Sequence, residues 1–250
     1  MIDTHAHLFY LKKPLSDAVA AAKEAGVNHI INIGVNVQTS QQAIDQALTY
    51  PDFISATCGI HPCDIPEEPD WEALVRLIKH EKVVAIGEIG LDYHHMRSSK
   101  EVQIKAFEKQ LELAETYKLP VVIHSRKADD DVRSIINACP KIKKVLHCYA
   151  SSAPYAESVL NENTFFSFTG MITYAKKGKT INALKAIPTE HIMIETDCPY
   201  LKPKDSDIEE NEPAYVGAVL EKIAEVKQLP VSDLAPIIEQ TSRDFFHEFN

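Results

Sequence analysis

Eight short apolar runs separated by longer amphipathic stretches constrain what this chain can fold into more than any other feature. The runs cover residues 2–7, 29–33, 53–59, 83–89, 121–124, 145–148, 165–168 and 192–195. Several are apolar almost throughout, as strands buried on both faces of a parallel sheet are. Between them, Ile104, Phe107, Leu111 and Ala114 recur at helical spacing with Glu and Lys interleaved, and Val216, Val219, Leu220 and Ile223 do the same near the C-terminus. Strands alternating with helices eight times predict the α/β class and a (β/α)8 TIM barrel, with residues 1–250 as a single domain. A doubly wound open sheet is the alternative. The acidic stretch 205–212, flanked by Pro203 and Pro213, reads as a solvated loop and not as a domain linker.

Composition narrows the class further. A chain of 250 residues buries a sizeable core without disulfide staples. It has no apolar run of membrane-spanning length and no basic-then-apolar leader, so neither a membrane span nor a signal peptide is expected. The five cysteines, Cys58, Cys63, Cys139, Cys148 and Cys198, are odd in number and match no CxxC zinc spacing. Reduced thiols and a cytoplasmic location are expected. A net charge of −10 argues against coating duplex nucleic acid through a broad basic surface. A phosphate substrate stays open, because bound metal ions bring their own positive charge.

Polar residues interrupt the apolar runs at one end only. The first run closes on His5-Ala6-His7, whose two imidazoles point to one face of a strand and offer a bidentate metal grip. The third leads into Gly59-Ile60-His61-Pro62, and the fourth into Gly87-Glu88-Ile89-Gly90-Leu91-Asp92. The fifth ends His124-Ser125-Arg126, the sixth His147-Cys148, and the eighth Glu195-Thr196-Asp197. In a parallel barrel the strand C-termini gather at one face, where active sites are built. His5, His7, Glu88, His124, His147 and Asp197 are therefore expected to converge. Each alone reads equally as a hydrogen-bonded strand end or a helix cap. Together, four imidazoles and two carboxylates at one mouth are costly unless paired or bound to a cation.

These segments resemble the TatD-type metal-dependent deoxyribonucleases of the amidohydrolase superfamily. The resemblance also takes in Asp3-Thr4, Tyr93, Tyr149, the run Cys198-Pro199-Tyr200-Leu201, and Asn211-Glu212-Pro213, and it spans nearly the whole chain. It implies two divalent metal ions (Mg, Mn or Zn). His5, His7 and Asp197 would hold one ion, His124 and His147 the other, and Glu88 would bridge them. Many dinuclear relatives that cleave amides or lactones carry a carbamylated Lys on the fourth strand, where this chain has Glu88. The expected activity is hydrolysis of DNA phosphodiester bonds through a metal-activated water, as a 3′–5′ exonuclease on single strands or ends. Glu88 and Asp197 are the expected catalytic groups. The alternative is a dinuclear hydrolase of a lactone, amide or other small ester.

Substrate contacts are expected from His61 and Arg126, and from Lys176 and Lys177 in a basic cluster after the seventh strand. The corresponding structural readings are a hydrogen bond to a ligand for His61, a salt bridge for Arg126, and a solvated loop for the lysines. Asp92 and Tyr93 are expected at the rim, and Asn211–Glu212 as the cap of a helix starting near Ala214. The chain departs from the family pattern at Cys63, where a second His is usual, at Tyr149-Ala150-Ser151, at Cys198, and in the acidic approach to Asn211. The six candidate ligands survive these departures; the mode of holding DNA is what they alter.

Overall fold

The computed structural model describes residues 1–204, 206 and 208–247. Eight parallel strands pair in chain order: β1 (Ile2–Ala6), β2 (His29–Ile33), β3 (Ile54–Cys58), β4 (Val83–Asp92), β5 (Val121–Arg126), β6 (Lys144–Leu146), β7 (Thr164–Phe168) and β8 (Ile192–Ile194). The first and last strands meet through the chain just beyond β8. The Asp197 amide donates to the His5 carbonyl at 2.8 Å, and the His7 amide to the Cys198 carbonyl at 2.9 Å. The sheet thus closes into the (β/α)8 barrel, and the open-sheet alternative falls.

Helices cover the outside: α1 (Leu15–Glu24), α2 (Val37–Thr49), α3 (Trp71–Ile78), α4 (Lys100–Tyr117), α5 (Asp129–Ala138), α6 (Ala153–Val159), α7 (Lys179–Ala186), α8 (Val216–Lys227) and α9 (Val231–Phe245). Of the helical spacings read from sequence, all positions bury except Ile104, which is partly buried against the core. Phe107, Leu111 and Ala114 face the sheet from α4, as do Val216, Val219, Leu220 and Ile223 from α8. Helix α2 starts at a capping box in which the Asn36 side chain accepts from the Thr39 amide.

Strand periodicity of two divides the barrel interior into layers. At the N-terminal end, Ile31, Ile33, Val84, Val122, Val145, Phe165 and Met193 form one apolar cluster, plugged from below by Phe245 and Phe246 at the end of α9. Two residues further along the same strands the inward positions turn polar, as in Val122 to His124, Val145 to His147 and Met193 to Glu195 to Asp197. The apolar floor supplies the hydrophobic burial that holds the barrel shut. The polar upper layers face the mouth.

Three expectations are corrected. Asp92 is 1% exposed, so it is buried under the mouth and not a rim residue. Asn211 caps no helix. Its side-chain amide donates to the Thr196 carbonyl at 2.9 Å, tying the segment before α8 to the end of β8. Glu212 makes no side-chain cap either and pairs with Lys13. Within the acidic stretch, Asp205 and Asp207 lie outside the described residues; Asn211 and Glu212 are buried and not solvated.

Candidate metal centre

The mouth at the C-terminal ends of the strands opens on a cavity of about 910 Å³, whose wall includes His7, His61, Glu88, His124, His147 and Asp197. Glu88 stands at its centre, anchored by its backbone amide, which donates to the Gly34 carbonyl just beyond β2 at 2.8 Å. Its two carboxylate oxygens face different groups. Oε2 lies 3.5 Å from His5 Nε2 and 3.9 Å from His7 Nε2. Oε1 lies 2.8 Å from His147 Nε2, 2.9 Å from His124 Nδ1 and 3.5 Å from His61 Nε2.

Asp197 completes the first group. Its Oδ1 is 3.5 Å from His5 Nε2 and 3.3 Å from His7 Nε2, and those two nitrogens are 3.3 Å apart. Asp197 follows β8 with φ at 55°, in the left-handed region that Asp tolerates better than most residues. That turn, which no strand pattern announces, carries the Asp197 amide to the His5 carbonyl and closes the barrel beside its side chain.

A further layer of contacts orients these groups. His7 Nδ1 points at the Ile33 carbonyl at 2.9 Å, which leaves Nε2 facing the centre. His124 Nε2 lies 3.1 Å from Asp92 Oδ2. His147 Nδ1 lies 3.3 Å from Glu195 Oε1, the oxygen that also accepts from the Cys148 amide at 2.7 Å. Glu195 Oε2 accepts from Ser167 Oγ at 2.5 Å. Below His5, the Asp3 carboxylate accepts from the Thr196 amide and hydroxyl at 2.9 and 2.6 Å. Sequence reasoning assigned no role to Asp3 or Glu195 and the wrong place to Asp92. A signal was available for two of them. Asp3 and Glu195 precede His5 and Asp197 by two residues, so each is the next inward position down its strand.

Electrostatics in the centre are mutually dependent. Burial opposes ionisation of Glu88, yet the surrounding His147, His61 and His124 outweigh it and hold its carboxyl well below the usual range. Burial likewise opposes protonation of His147, but Glu88 and Glu195 raise its pKa well above normal. His7 and His124 are raised in the same way, the first by Asp197, the second by Asp92 and Glu88. Burial lowers His5 and His61 instead, His61 to about 4. Burial also raises the Asp3 carboxyl to about 7.

The donor set fits divalent cations. His5 and His7 turn nitrogens toward each other at 3.3 Å, a contact in which at most one can donate to the other. Ligand atoms roughly 2.0–2.2 Å from one ion lie about 3–3.5 Å apart, which is the spacing of His5, His7 and Asp197. His61, Glu88 and His124 form a second group with ligand atoms mutually within 4.8 Å, as do His5, His7 and Glu88.

The other residues singled out from sequence fall outside this cluster. Arg126 is exposed at the end of β5 and lines the cavity. Lys176 and Lys177 are exposed between Tyr174 and α7, and the cavity wall includes their neighbours Ala175 and Thr180 but neither lysine. Cys63 and Cys148 line the cavity, whereas Cys198 is fully buried against β1.

A family model described as TatD related DNase matches residues 2–247. The chain is 36% identical over 252 residues to a Bacillus subtilis protein named uncharacterized metal-dependent hydrolase YabD, covering 98% of each. It is 34% identical over 244 residues to the protein named 3'-5' ssDNA/RNA exonuclease TatD of Erwinia tasmaniensis, covering 94% of each. The crystal structure of YJJV, a TatD homolog from Escherichia coli, matches with a TM-score of 0.88 at 27% identity, over 99% of this chain and 98% of that one. Fold and relatives together define a metal-dependent hydrolase of ester bonds built on a (β/α)8 barrel. The chain belongs to the TatD related DNase family.

Proposed function

We propose that this protein is a nuclease that removes nucleotides from the 3′ end of single-stranded DNA by hydrolysing phosphodiester bonds with two divalent ions. The observation that carries this reading is Glu88, whose Oε1 and Oε2 each face a separate set of imidazole nitrogens. That is the placement of a carboxylate shared between two ions. Relatives named as ssDNA/RNA exonucleases support the substrate class.

His5, His7 and Asp197 would hold one ion, His124 and His147 the second, with Glu88 on both. When bound, such a pair supplies positive charge to both the attacking and the leaving oxygen of an in-line displacement and lowers the pKa of water. Asp197 turns Oδ1 to the histidines; Oδ2 is left to orient the attacking water and accept its proton. His61 Nδ1 accepts from the Cys63 amide, so the ring, neutral near pH 7, carries its proton on Nε2 and donates beside Glu88. Arg126 presents a planar guanidinium to a phosphate oxygen. Lys176 and Lys177 add positive charge beside the mouth. Zinc or manganese should bind most tightly, because four imidazoles suit softer ions than magnesium. We place the protein in the cytoplasm as a single domain. The described cysteines are all free, which suits a reducing compartment, and among the described residues no helix is long and apolar enough to cross a membrane.

Metal-loaded and EDTA-treated protein should be incubated with single- and double-stranded DNA and RNA labelled at either end, beside a panel of lactones and small esters. A metal-dependent ladder shortening from the 3′ end is expected, and Glu88→Ala and Asp197→Ala should abolish it while keeping the fold. Full activity in either folded variant, or turnover of the lactone panel alone, would overturn the assignment.

A further inference from the structure

A second set of donor atoms lies on the same wall of the cavity, outside the six residues above. Cys63 sits two residues after His61, Asp92 ends β4, and His95 lies in the turn that follows. Ligand atoms of Cys63, Asp92 and His95 all lie within 4.8 Å of one another, and all three residues line the cavity. We propose that Cys63, Asp92 and His95 form an additional cation site for a zinc-class ion, separate from the candidate dinuclear centre.

The Asp92 carboxylate also shapes its turn and orients a neighbouring imidazole. Asp92 Oδ1 accepts from the backbone amides of His94 and His95 at 2.9 and 2.8 Å, which shapes the turn. Asp92 Oδ2 faces His124 Nε2 at 3.1 Å, which orients that imidazole. Asp92 Oδ2 also pairs with His95 Nδ1 at 2.8 Å, which seats that half-exposed ring beside the carboxylate. The half-buried Cys63 thiol stands beside the same carboxylate, so a cation here would take the place of the hydrogen bonds that now join the three groups.

The donor set selects the ion. One thiolate, one imidazole and one carboxylate match zinc and its neighbours, while magnesium and calcium require oxygen ligands almost exclusively. Three protein donors leave a position open, and here it faces the cavity. A cysteine thiol is mostly protonated near neutral pH. Binding one ion exchanges it for that proton: the S–H bond breaks, a sulfur–metal bond forms, and one proton leaves to solvent. The site does not depend on the nuclease reading, since none of its three donors belongs to the candidate dinuclear centre.

Cobalt titration of the full chain, loaded beforehand with no more than two equivalents of zinc, tests this. Binding of one further cobalt ion per chain is expected, with a near-ultraviolet sulfur-to-cobalt charge-transfer band that the His and carboxylate ligands of the dinuclear centre cannot give. Cys63→Ala should abolish the band and lower the bound metal by one ion per chain, with the remaining metal and the fold unchanged. His95→Ala should weaken the additional ion at least about tenfold. Cys148→Ala, which alters the other thiol on the cavity wall, should leave the band intact. Absence of the band in the parent protein, its persistence in Cys63→Ala, or its loss in Cys148→Ala would overturn the proposal. Zinc content of the Cys63→Ala variant reports the dinuclear centre separately, so failure of one site is distinguishable from failure of the other.

Discussion

Glu195 contributes no atom to the proposed ions, yet it holds His147 Nδ1, the Cys148 amide and the Ser167 hydroxyl at once. Groups that orient a ligand imidazole commonly change metal affinity 10–100-fold when altered. Glu195→Gln keeps the size but places an amide nitrogen where one of three donors now meets a carboxylate oxygen. We expect about 10–100-fold weaker metal binding by calorimetric titration, with secondary structure unchanged; unaltered affinity would show that Glu195 is only packing. At this scale the six candidate ligands were legible in the sequence because each is a polar residue where an apolar run ends. Asp92 was misplaced because alternation says which face a side chain takes, not how deep in the barrel it lies. Cys148, with φ at 46°, and Asp197 adopt left-handed turns that residue type alone does not disclose.

Among the elements, β4 is the longest strand and carries the centre's shared carboxylate. It packs so closely on β5 that Gly90, with φ at 130°, leaves no room for a side chain; a Cβ there would lie 2.1 Å from the His124 carbonyl oxygen. Gly90→Ala must therefore both strain its backbone and push β5 away, carrying His124 with it. A cost of about 3 kcal/mol lowers Tm by roughly 6–12 °C for a chain of this size. Thermal unfolding should show that fall together with weakened metal binding, and a Tm within about 2 °C of the parent would contradict the packing argument. Helices α4 and α8 were legible because their apolar residues recur at 3.6-residue spacing. Strands β6 and β8, three residues each, were legible only within the full alternation. The floor plug by Phe245 and Phe246 was not legible, because two adjacent aromatic residues carry no period.

For the whole molecule, ions that bind only the folded chain add stability by mass action. EDTA treatment should lower Tm, and restoring zinc should raise it again. The pH dependence should also invert. In the metal-free protein, His7, His124 and His147 have pKa values raised above 6.5 by the carboxylates around them. Their contribution is fully present below pH 6.5 and is lost as pH rises through the raised values. His61, lowered to about 4, acts only below that window. Ligation instead requires neutral imidazole, so metal retention grows with pH. The difference in Tm between zinc-loaded and metal-free protein should therefore widen from pH 6.5 upward in a series of thermal scans. A constant difference would mean that the histidines are not the ligands.

The sequence by itself determined the alternation of strand and helix, the inward parity of each strand, and the identity of the polar groups at the strand ends. These are local properties, set by side-chain period and by the cost of burying charge. Only the tertiary structure decided which groups meet. Closing the barrel brings Asp197 to His5 and His7 across nearly the whole chain, and sets Glu88 with one oxygen toward each group of histidines. It also places Cys63 beside Asp92 and His95 from two separate segments. Distances of 3 Å between residues far apart in sequence depend on strand stagger, tight glycine contacts and left-handed turns, and none of these leaves a periodic trace in the chain.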